Sequence, residues 1–554
     1  IDEMAIRIGI TPDNDRRVQT GIKYGLIRST YNGNSCVLEI NLIEYVQSLL
    51  DVSSETIEDN LIALKIKGEI VYDFRENEQW VYLARFFDTE KEIAYRLRKL
   101  EQSKNVKEIK NVESALKKIE KESDIELSEK QKEAIEEINN NNVLIITGGP
   151  GTGKTTIIKT IIELYENRGK KVILAAPTGR AAKKMTEATG KEASTLHRLL
   201  CIGKLDDEGI YQSHDEFQGE PIDADVVVID ELSMVAMFVM NYLLKCVYQG
   251  TKLVLVGDID QLPSVGPGSV LKDLIASNQV ATVSLDKIFR QAAKSKIILN
   301  AHKVNNGEMF LSKEELEEDT KEDFFFIKEN LQERMLAQVV SLCTGRLEKY
   351  GNYDFFQNIQ VLSPTKKGLL GTKELNRILQ EQLNPNIMNL PEKASMGAIF
   401  RKGDRVMQIK NNYDIYWEKE GTGSGISNKE IGNGVFNGEI GTVIQIDEKE
   451  KQVEIQFDDN KIARYEFTEL DQIEHSYAIT IHKAQGSEFD VVIMVAPTAA
   501  PMLLTRNLLY TGITRAKKLL IIIGIDNVVD YMIQNVDSKK RNTGLKQKII
   551  EEFE

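Results

Sequence analysis

Residues 148–155 read Gly-Gly-Pro-Gly-Thr-Gly-Lys-Thr, and this stretch decides which fold surrounds it. The apolar run 143–147 precedes it and the helix-like stretch 156–165 follows it, which gives the order strand, loop, helix. Glycines let backbone N–H groups close around a phosphate, and the helix N-terminus adds a partial positive charge. Lys154 can reach the β- and γ-phosphates of a nucleotide, and the Thr155 hydroxyl can hold Mg²⁺. The segment therefore predicts a P-loop that binds a nucleoside triphosphate.

The composition is that of a large globular chain with several cores. Its 554 residues indicate roughly three to five domains, and 42% hydrophobic with 28% charged residues is ordinary for such a protein. A net charge of −14 counts mildly against a protein that coats nucleic acid, although a groove for a few nucleotides needs only local positive charge. Four widely spaced cysteines argue against a zinc site or disulfide framework and fit a reducing cytoplasm. The longest apolar stretch, 491–504, is broken by two prolines and is too short for a membrane span, so we expect no membrane partner.

The first 100 residues predict a small module of helices followed by a hairpin. Such a winged-helix-like domain (1–100) can bind duplex DNA, but it serves equally as a scaffold or protein contact, which is our interpretation here. Residues 101–125 are rich in lysine and glutamate and predict a solvated linker helix. The predicted elements of the module are helices at 13–30, 39–50 and 54–67 and strands at 69–74 and 79–83.

Most of the remaining chain predicts an α/β fold with two parallel sheets. Its apolar runs lack hydrophobic–polar alternation, as expected for strands covered on both faces. We assign a first α/β domain to 126–284 and a second to 285–399 together with 472–554. The predicted strands are 143–147, 172–176, 225–229 and 253–256 in the first domain and 359–362, 491–495 and 519–523 in the second.

Residues 400–471 show a different pattern of apolar and polar residues. Runs at 442–446, 452–457 and 463–467 alternate between apolar and polar residues and are separated by polar turns. We interpret this segment as a small β-barrel inserted into the second α/β domain.

Two adjacent carboxylates end the predicted strand 225–229. An unpaired buried carboxylate is costly, so their place about 75 residues after a P-loop favours a role with Mg²⁺ and water. Asp230 would hold the metal, directly or through its water, and Glu231 would polarise the attacking water as general base. Gln261 could hydrogen-bond the γ-phosphate or merely cap a loop, and Gln131 could read an adenine edge or lie on the surface.

Arg290 and Arg515 belong to the second α/β domain. Phosphoryl transfer needs positive charge at the γ-phosphate as the bond breaks, and an inserted arginine contributes about 10³–10⁵ in rate. If both arginines reach across a domain cleft, hydrolysis is coupled to closure of that cleft. The alternative for each is a surface salt bridge.

These motifs, in this order, resemble those of the superfamily 1 helicases. The extended motif that ends at Gly268 resembles the RecD family specifically, whose members move 5′→3′ on single-stranded DNA. The resemblance implies two RecA-like domains, ATP and Mg²⁺ as cofactors, Lys154, Glu231, Gln261, Arg290 and Arg515 as catalytic residues, and Thr155 with Asp230 as metal ligands. The motifs are 148–155, 176–181, 230–234, 257–268, 289–291, 480–488 and 510–516, and the implied ATP contacts are Gln131, Gly149, Pro150, Gly151, Thr152, Gly153, Lys154, Thr155 and Thr156.

The resemblance also implies how DNA is held. Backbone amides, hydroxyls and basic side chains suit phosphates without reading sequence. The polar excursion at 201–221 would be the β-hairpin pin that splits a duplex, with an ordinary surface hairpin as the alternative, and 400–471 would be an SH3-like domain over the channel. On composition alone, His197 and His482 would be structural histidines; within these motifs we interpret them as nucleic-acid contacts or coupling residues. The implied DNA contacts are Pro177, Thr178, Gly179, Arg180, Thr195, His197, Thr365, Lys366, Thr480, His482 and Lys483.

The expected partners are single-stranded DNA and junctions with a 5′ tail, in the bacterial cytoplasm near the nucleoid. The N-terminal 100 residues and the stretch 541–545 resemble the stand-alone bacterial members. Those members carry a further N-terminal segment with helix-hairpin-helix repeats, so we expect a truncated chain. A motor of other polarity or with an RNA substrate, and an ATP-dependent clamp that never translocates, are the alternatives. A relaxase–helicase fusion lacks support, because the five histidines form no clustered triad in the sequence.

Overall fold

The computed structural model describes residues 11–103, 109, 111–202, 219–289, 292–312, 315, 320–387, 390–420, 429–458, 460–536 and 541–554. Two predictions fall outside these residues: Arg290, and all but the ends of the predicted hairpin 201–221. Among the helices that are described, none has both the length and the apolar character needed to cross a bilayer.

The N-terminal unit comprises helices and a small antiparallel sheet, close to the predicted bounds. Its strand order is β1-β3-β2, and Glu76 and Asn77 form the β2–β3 turn with φ of 52° and 63°, as a two-residue hairpin requires. The short strand β1 was not predicted. Whether the unit is of the winged-helix class stays a prediction. The elements are α1 (Asp15–Thr30), β1 (Cys36–Leu38), α2 (Glu39–Leu50), α3 (Ser54–Ile66), β2 (Ile70–Arg75), β3 (Glu78–Leu83) and α4 (Ala84–Glu101).

The predicted linker is not a free solvated helix. Within it, α5 (Val112–Ser123) buries Leu116 and Ile119, each 3% exposed, in one apolar cluster with Ile135 and Ile158. The expectation of a solvated segment was wrong on this face, because an apolar pair three residues apart forms a stripe that packs against a neighbouring helix.

The first lobe, as we call it, is a six-stranded parallel sheet with α5 and the helices that follow. The strand order is β6-β5-β7-β8-β4-β9, and both faces are covered: Val143 and Ile145 join one apolar cluster, Leu144 and Ile146 another. The four predicted strands of this domain are confirmed. Its further elements are α6 (Glu129–Asn140), β4 (Val143–Gly148), α7 (Lys154–Glu166), β5 (Val172–Ala176), α8 (Gly179–Thr189), β6 (Ala193–Thr195), α9 (Leu196–Leu199), β7 (Val226–Ile229), α10 (Met237–Cys246), β8 (Lys252–Gly257), α11 (Val270–Ser277) and β9 (Ala281–Leu285).

The second lobe is a five-stranded parallel sheet of order β10-β23-β22-β11-β21 with its helices. The three strands predicted for it are confirmed. Its elements are α12 (Lys296–Asn305), β10 (Phe324–Lys328), α13 (Gln332–Ser341), α14 (Leu347–Gly351), α15 (Phe355–Asn358), β11 (Ile359–Ser363), α16 (Thr372–Leu383), β21 (Ala478–Thr480), β22 (Phe489–Ala496), α17 (Arg506–Ile513), β23 (Ala516–Gly524) and α18 (Asp526–Gln534).

The inserted unit (strands β14–β20) is antiparallel, as expected for 400–471. Its strand order is β16-β15-β19-β18-β17-β14-β20, and among the described residues no pairing joins the two end strands into a closed barrel. The bounds of the domains stay a prediction. The strands are β14 (Arg405–Gln408), β15 (Asn412–Glu420), β16 (Lys429–Val435), β17 (Ile440–Asp447), β18 (Gln452–Phe457), β19 (Ile462–Glu466) and β20 (Ile473–His475), preceded by the hairpin β12 (Glu392–Ser395) and β13 (Ala398–Arg401).

The C-terminal helix α19 (Leu545–Phe553) returns from the second lobe to the N-terminal unit. Leu545 and Ile549 are buried in the cluster that also holds Ile93 and Leu97 of α4. Residues 541–554, which we call the tail, therefore dock on the N-terminal unit and not on the sheet they follow.

Candidate nucleotide site and nucleic-acid groove

The glycine loop between β4 and α7 has the backbone of a phosphate cradle. Gly151 and Gly153 have φ of 74° and 84°, which glycine adopts without strain. A Cβ at Gly153 would collide with the side chains of Gln131 and Phe289. Lys154 begins α7, and its Nζ donates to the carbonyl oxygens of Gly148 (2.6 Å) and Gly149 (2.9 Å). The lysine therefore lies across the loop, where a phosphate could accept from it.

The two predicted carboxylates follow β7 directly. Asp230 Oδ1 accepts from the Glu231 N–H at 2.8 Å. Burial, joined by the charge of Glu231, raises the pKa of Asp230 above its usual range, while the Glu231 N–H, Lys184 and Lys154 act in the opposite direction. Glu231 itself has φ of 55°, a left-handed conformation that costs a non-glycine residue about 1 kcal/mol or more and is common at functional sites.

The donor set fits a magnesium nucleotide. Thr155 offers an exposed hydroxyl and Asp230 a carboxylate, and hard oxygen ligands of this kind suit Mg²⁺, which usually keeps phosphate and water ligands as well. In the part of the chain that the structure describes, no cluster of three or more His, Cys, Asp or Glu could hold a metal without such a substrate.

The first and second lobes meet at the loop after β8. Gln261 Oε1 accepts from Arg515 Nη2 at 3.2 Å, and Gln261 Nε2 donates to Asp258 Oδ2 at 3.3 Å. Arg515 is 3% exposed, and its remaining donors reach the Thr511 and Ser487 carbonyl oxygens at 3.1 Å. Two residues predicted as catalytic, one from each sheet, are thus hydrogen-bonded across the cleft.

Other second-lobe residues touch the same cleft. The Tyr510 hydroxyl donates to Asp258 at 2.8 Å, and a Cβ at Gly149 would lie 3.0 Å from that hydroxyl. His302 Nε2 lies 3.2 Å from the Pro150 carbonyl oxygen. The Phe289 N–H, one residue before Arg290, donates to the Gly151 carbonyl oxygen at 3.1 Å. The P-loop is therefore covered by the neighbouring lobe.

An ion pair also crosses the cleft beside the carboxylates. Lys184 Nζ of α8 lies 2.5 Å from Glu488 Oε1. Burial alone would lower the pKa of Lys184, but the charges of Glu488 and Glu231 outweigh it, so its pKa is raised. This lysine stays charged next to Glu231, which is predicted to activate water.

Gln131 is fully buried at the start of α6. Its Oε1 accepts from the Ser128 N–H at 2.9 Å, and its Nε2 donates to the Gly153 carbonyl oxygen at 3.3 Å. The side chain thus serves a capping box and supports the P-loop, and each end of the amide keeps one further hydrogen-bonding position.

Eight of the eleven residues predicted to contact DNA line one groove of 610 Å³. The groove runs between the two lobes and the inserted unit, which contributes Asn411 and residues 436–438. Thr365, Lys366 and Thr480 are not among its lining residues. The eight are Pro177, Thr178, Gly179, Arg180, Thr195, His197, His482 and Lys483.

Several of these side chains already have protein partners. The Thr178 and Thr195 hydroxyls cap α8 and α9. Arg180 donates to Asp458 of the inserted unit and to Ser487 of the second lobe, at 3.0 and 3.2 Å, so it ties three units together.

The two groove histidines are neutral near pH 7, because burial lowers the pKa of both His197 and His482. They can therefore hydrogen-bond a strand but do not add positive charge to it.

Four residues of the cleft were missed by sequence reasoning. Tyr510 and Asp258 lay inside motifs that we had recognised (510–516 and 257–268), so their positions could have been used. Lys184 and His302 gave no signal, because a lone lysine or histidine on a helix is ordinary until the fold brings it to the cleft.

Models of three known families match successive parts of the chain. An AAA domain matches residues 126–322, the SH3 domain of ATP-dependent RecD-like DNA helicases matches 375–457, and a UvrD-like helicase C-terminal domain matches 475–523. The SH3-domain match covers most of the inserted unit.

The chain is also similar to whole proteins. It is 35% identical over 397 residues to the ATP-dependent RecD2 DNA helicase of Deinococcus radiodurans, covering 71% of this chain and 48% of that protein. It is 28% identical to the RecBCD enzyme subunit RecD of Mycolicibacterium smegmatis, covering 76% and 75%. A crystal structure of Pif1 helicase from Bacteroides with ADP-AlF3 and single-stranded DNA is 19% identical, covering 74% and 94%, at a TM-score of 0.43.

The chain spans about half the length of the Deinococcus relative. The models follow one another in the order of the first lobe, the inserted unit and the second lobe, and the second of them is specific to RecD-like proteins. With the P-loop, the paired carboxylates and the cleft between two parallel sheets, these matches show that the chain belongs to the RecD-like helicases.

Proposed function

We propose that the protein is an ATP-driven DNA helicase that moves 5′→3′ along one strand and unwinds duplexes, in repair or recombination. The observation that carries this proposal is the hydrogen bond between Gln261 and Arg515. This hydrogen bond joins a residue that follows strand β8 of the first lobe to a buried arginine of the second lobe. A change at the γ-phosphate can therefore alter the contact between the lobes.

The P-loop residues 149–156 bind ATP, and Lys154 moves from the loop carbonyls to the β- and γ-phosphates. Gln131 keeps its cap and uses its remaining amide positions for the adenine edge. A bound Mg²⁺ supplies charge neutralisation, with Thr155 and Asp230 as the residues that hold it.

Four residues are assigned roles in hydrolysis. Glu231 orients the water. The hydrogen bond from its own N–H to Asp230 fixes the backbone of Glu231. Arg515 stabilises the charge on the γ-phosphate, and Gln261 reports its loss. Arg290 is proposed as a second arginine, supported by the hydrogen bond that ties the preceding residue to the P-loop.

The groove holds the single strand through backbone amides, hydroxyls and a few basic side chains. Alternate opening and closing of the cleft moves the grips of the two lobes along that strand. Thr365, Lys366 and Thr480 would join as the lobes move, and residues 201–221 would act as the pin. Single-stranded DNA and junctions with a 5′ tail are the proposed partners, in the bacterial cytoplasm at the nucleoid.

The test is a comparison of Lys154→Ala with Lys159→Ala, an exposed lysine one turn further along α7. We expect Lys154→Ala to lose DNA-stimulated ATP hydrolysis while its circular dichroism and melting curve stay unchanged, and Lys159→Ala to behave as wild type. Retained turnover in Lys154→Ala would refute the site.

Unwinding on tailed duplexes tests the motor itself. The wild-type protein should open a duplex with a 5′ tail and displace streptavidin from end-labelled oligonucleotides. Activity only with a 3′ tail would refute the polarity, and ATP hydrolysis without displacement would favour a static clamp.

A further inference from the structure

The groove continues onto the N-terminal unit, beyond the motifs that define the family. Its lining includes Ile27, Thr30 and Tyr31 from the end of α1, and Arg85 and Phe86 from the start of α4. This unit therefore forms one wall of the same cavity that holds the eight predicted DNA contacts.

This wall has the surface chemistry of a base-stacking site. Tyr31 is 69% exposed, and the Arg28 guanidinium lies 5.6 Å from the centre of its ring. Beside this wall, Val265 of the first lobe, from the loop 264–268, is 82% exposed and lines the same cavity. Exposed ring and methyl surfaces beside a positively charged side chain match the flat face and the phosphate of a nucleotide.

The wall is also held rigidly. The Gly268 N–H donates to the Gly33 carbonyl oxygen at 3.0 Å, which joins the loop to the N-terminal unit. Arg541 of the tail donates to the carbonyl oxygens of Ser264 (2.8 Å), Gly266 (3.0 Å) and Gly268 (2.7 Å). A site built in advance loses less entropy when a flexible strand binds.

We infer that the N-terminal unit is part of the single-strand site: bases stack on Tyr31 and Val265, and Arg85 faces the phosphate backbone. The inference rests on the proposed function and extends it, because it assigns a nucleic-acid contact to a unit whose sequence indicated only a scaffold. The ligand class is single-stranded nucleic acid bound without sequence readout.

The experiment compares Tyr31→Ala and Tyr31→Phe with Tyr24→Ala; Tyr24 is an exposed tyrosine of α1, the helix that Tyr31 directly follows, and does not line the groove. Affinity for labelled oligo(dT) is measured by fluorescence anisotropy at constant salt. Since stacking of one base is worth about 1–3 kcal/mol, Tyr31→Ala should weaken binding about fivefold or more. Tyr31→Phe and Tyr24→Ala should bind as wild type, and Tyr24→Ala should also leave ATP hydrolysis without DNA unchanged.

A second readout does not depend on affinity. A strand that carries 5-iodouracil should crosslink to Tyr31 in the wild-type protein. Wild-type affinity in Tyr31→Ala together with no crosslink at this residue would overturn the inference and leave the helicase proposal standing. A wild-type protein with no affinity for single strands would overturn both.

Discussion

Arg515 and Gln261 show how two buried side chains can connect a nucleotide to a cleft. The guanidinium is held by Thr511 and Ser487 of its own lobe and reaches Gln261 of the other. In the proposed mechanism this orientation is set before the nucleotide arrives, so the guanidinium would need little rearrangement during hydrolysis.

Arg515→Ala should lower kcat by about 10³-fold while ATP binding is retained, since the arginine acts on charge that develops as the bond breaks. The double variant with Gln261→Ala should be less impaired than the product of the two single effects, because the residues share one contact. Steady-state hydrolysis with saturating single strand measures both. If the effects of the two single substitutions on kcat multiply exactly in the double variant, the two residues act independently.

At the level of single side chains, the local sequence indicated candidate site residues better than it indicated which side chains they contact in the fold. Lys154, Asp230 and Glu231 could be predicted as site residues because the order of strand, loop and helix can be recognised from adjacent residues. The pairing of Lys184 with Glu488 could not be found, since 304 positions separate them and only the approach of the two lobes brings them to 2.5 Å. Arg180 was expected to contact DNA, and its ties to Asp458 and Ser487 were equally invisible.

The loop 264–268 is the element on which the tail acts most directly. Three backbone carbonyl oxygens of this loop accept from one guanidinium, a geometry that a lysine cannot reproduce. Gln261 lies three residues before the loop, and Val265 lines the groove.

Arg541→Ala should therefore weaken single-strand affinity several-fold and reduce the stimulation of ATP hydrolysis by DNA, with basal hydrolysis retained. Arg541→Lys should restore only part of the loss. Lys546→Ala, an exposed residue of α19, is the matched control. Equal binding by Arg541→Ala and the control would mean that the loop holds its shape without the tail.

Helix α11 places Asp273 against the docked tail, and this gives the junction a pH dependence. Burial raises the pKa of Asp273 to about 7; the hydrogen bond from Thr543 opposes this, the charge of Glu90 adds to it, and Arg75 and Lys272 oppose it. The folded protein favours the protonated carboxyl, so this contribution to stability is complete below about pH 4 and is lost as pH rises to about 7.

The melting temperature of the wild-type protein should accordingly fall more between pH 5 and pH 8 than that of Asp273→Asn, in which the side chain does not titrate. Differential scanning calorimetry at several pH values measures the difference. If the melting temperatures of the two proteins change equally with pH, ionisation of Asp273 does not affect stability.

Among the elements, strands that form continuous apolar runs were predicted well, whereas the three-residue strand β1 and the helices α4 and α19 were not predicted. Continuous apolar runs in the sequence mark strands β4, β5, β7 and β8. Strand β1 has three residues and exists because Cys36 pairs with Tyr82, more than 40 positions away. Helix α19 was not predicted, and its burial depends on α4 at the other end of the chain.

The molecule as a whole is joined into one body by apolar and ionic contacts. Phe86 of the N-terminal unit and Phe238 of the first lobe have ring centres 5.6 Å apart. On the tail, Lys548 donates to the buried Glu90 at 3.0 Å and lies over the Tyr82 and Phe87 rings. A buried charge pair of this kind fixes where the tail docks more than it adds stability.

That docking carries a mechanical limit. Helix α18 packs in the core of the second lobe, and Arg541 is fastened to the far side of the cleft. Only five peptide steps separate Val536 from Arg541, and even a fully stretched chain of that length spans about 18 Å at most. The two lobes can therefore separate no further than the length of this connection allows, unless the tail first detaches from the first lobe.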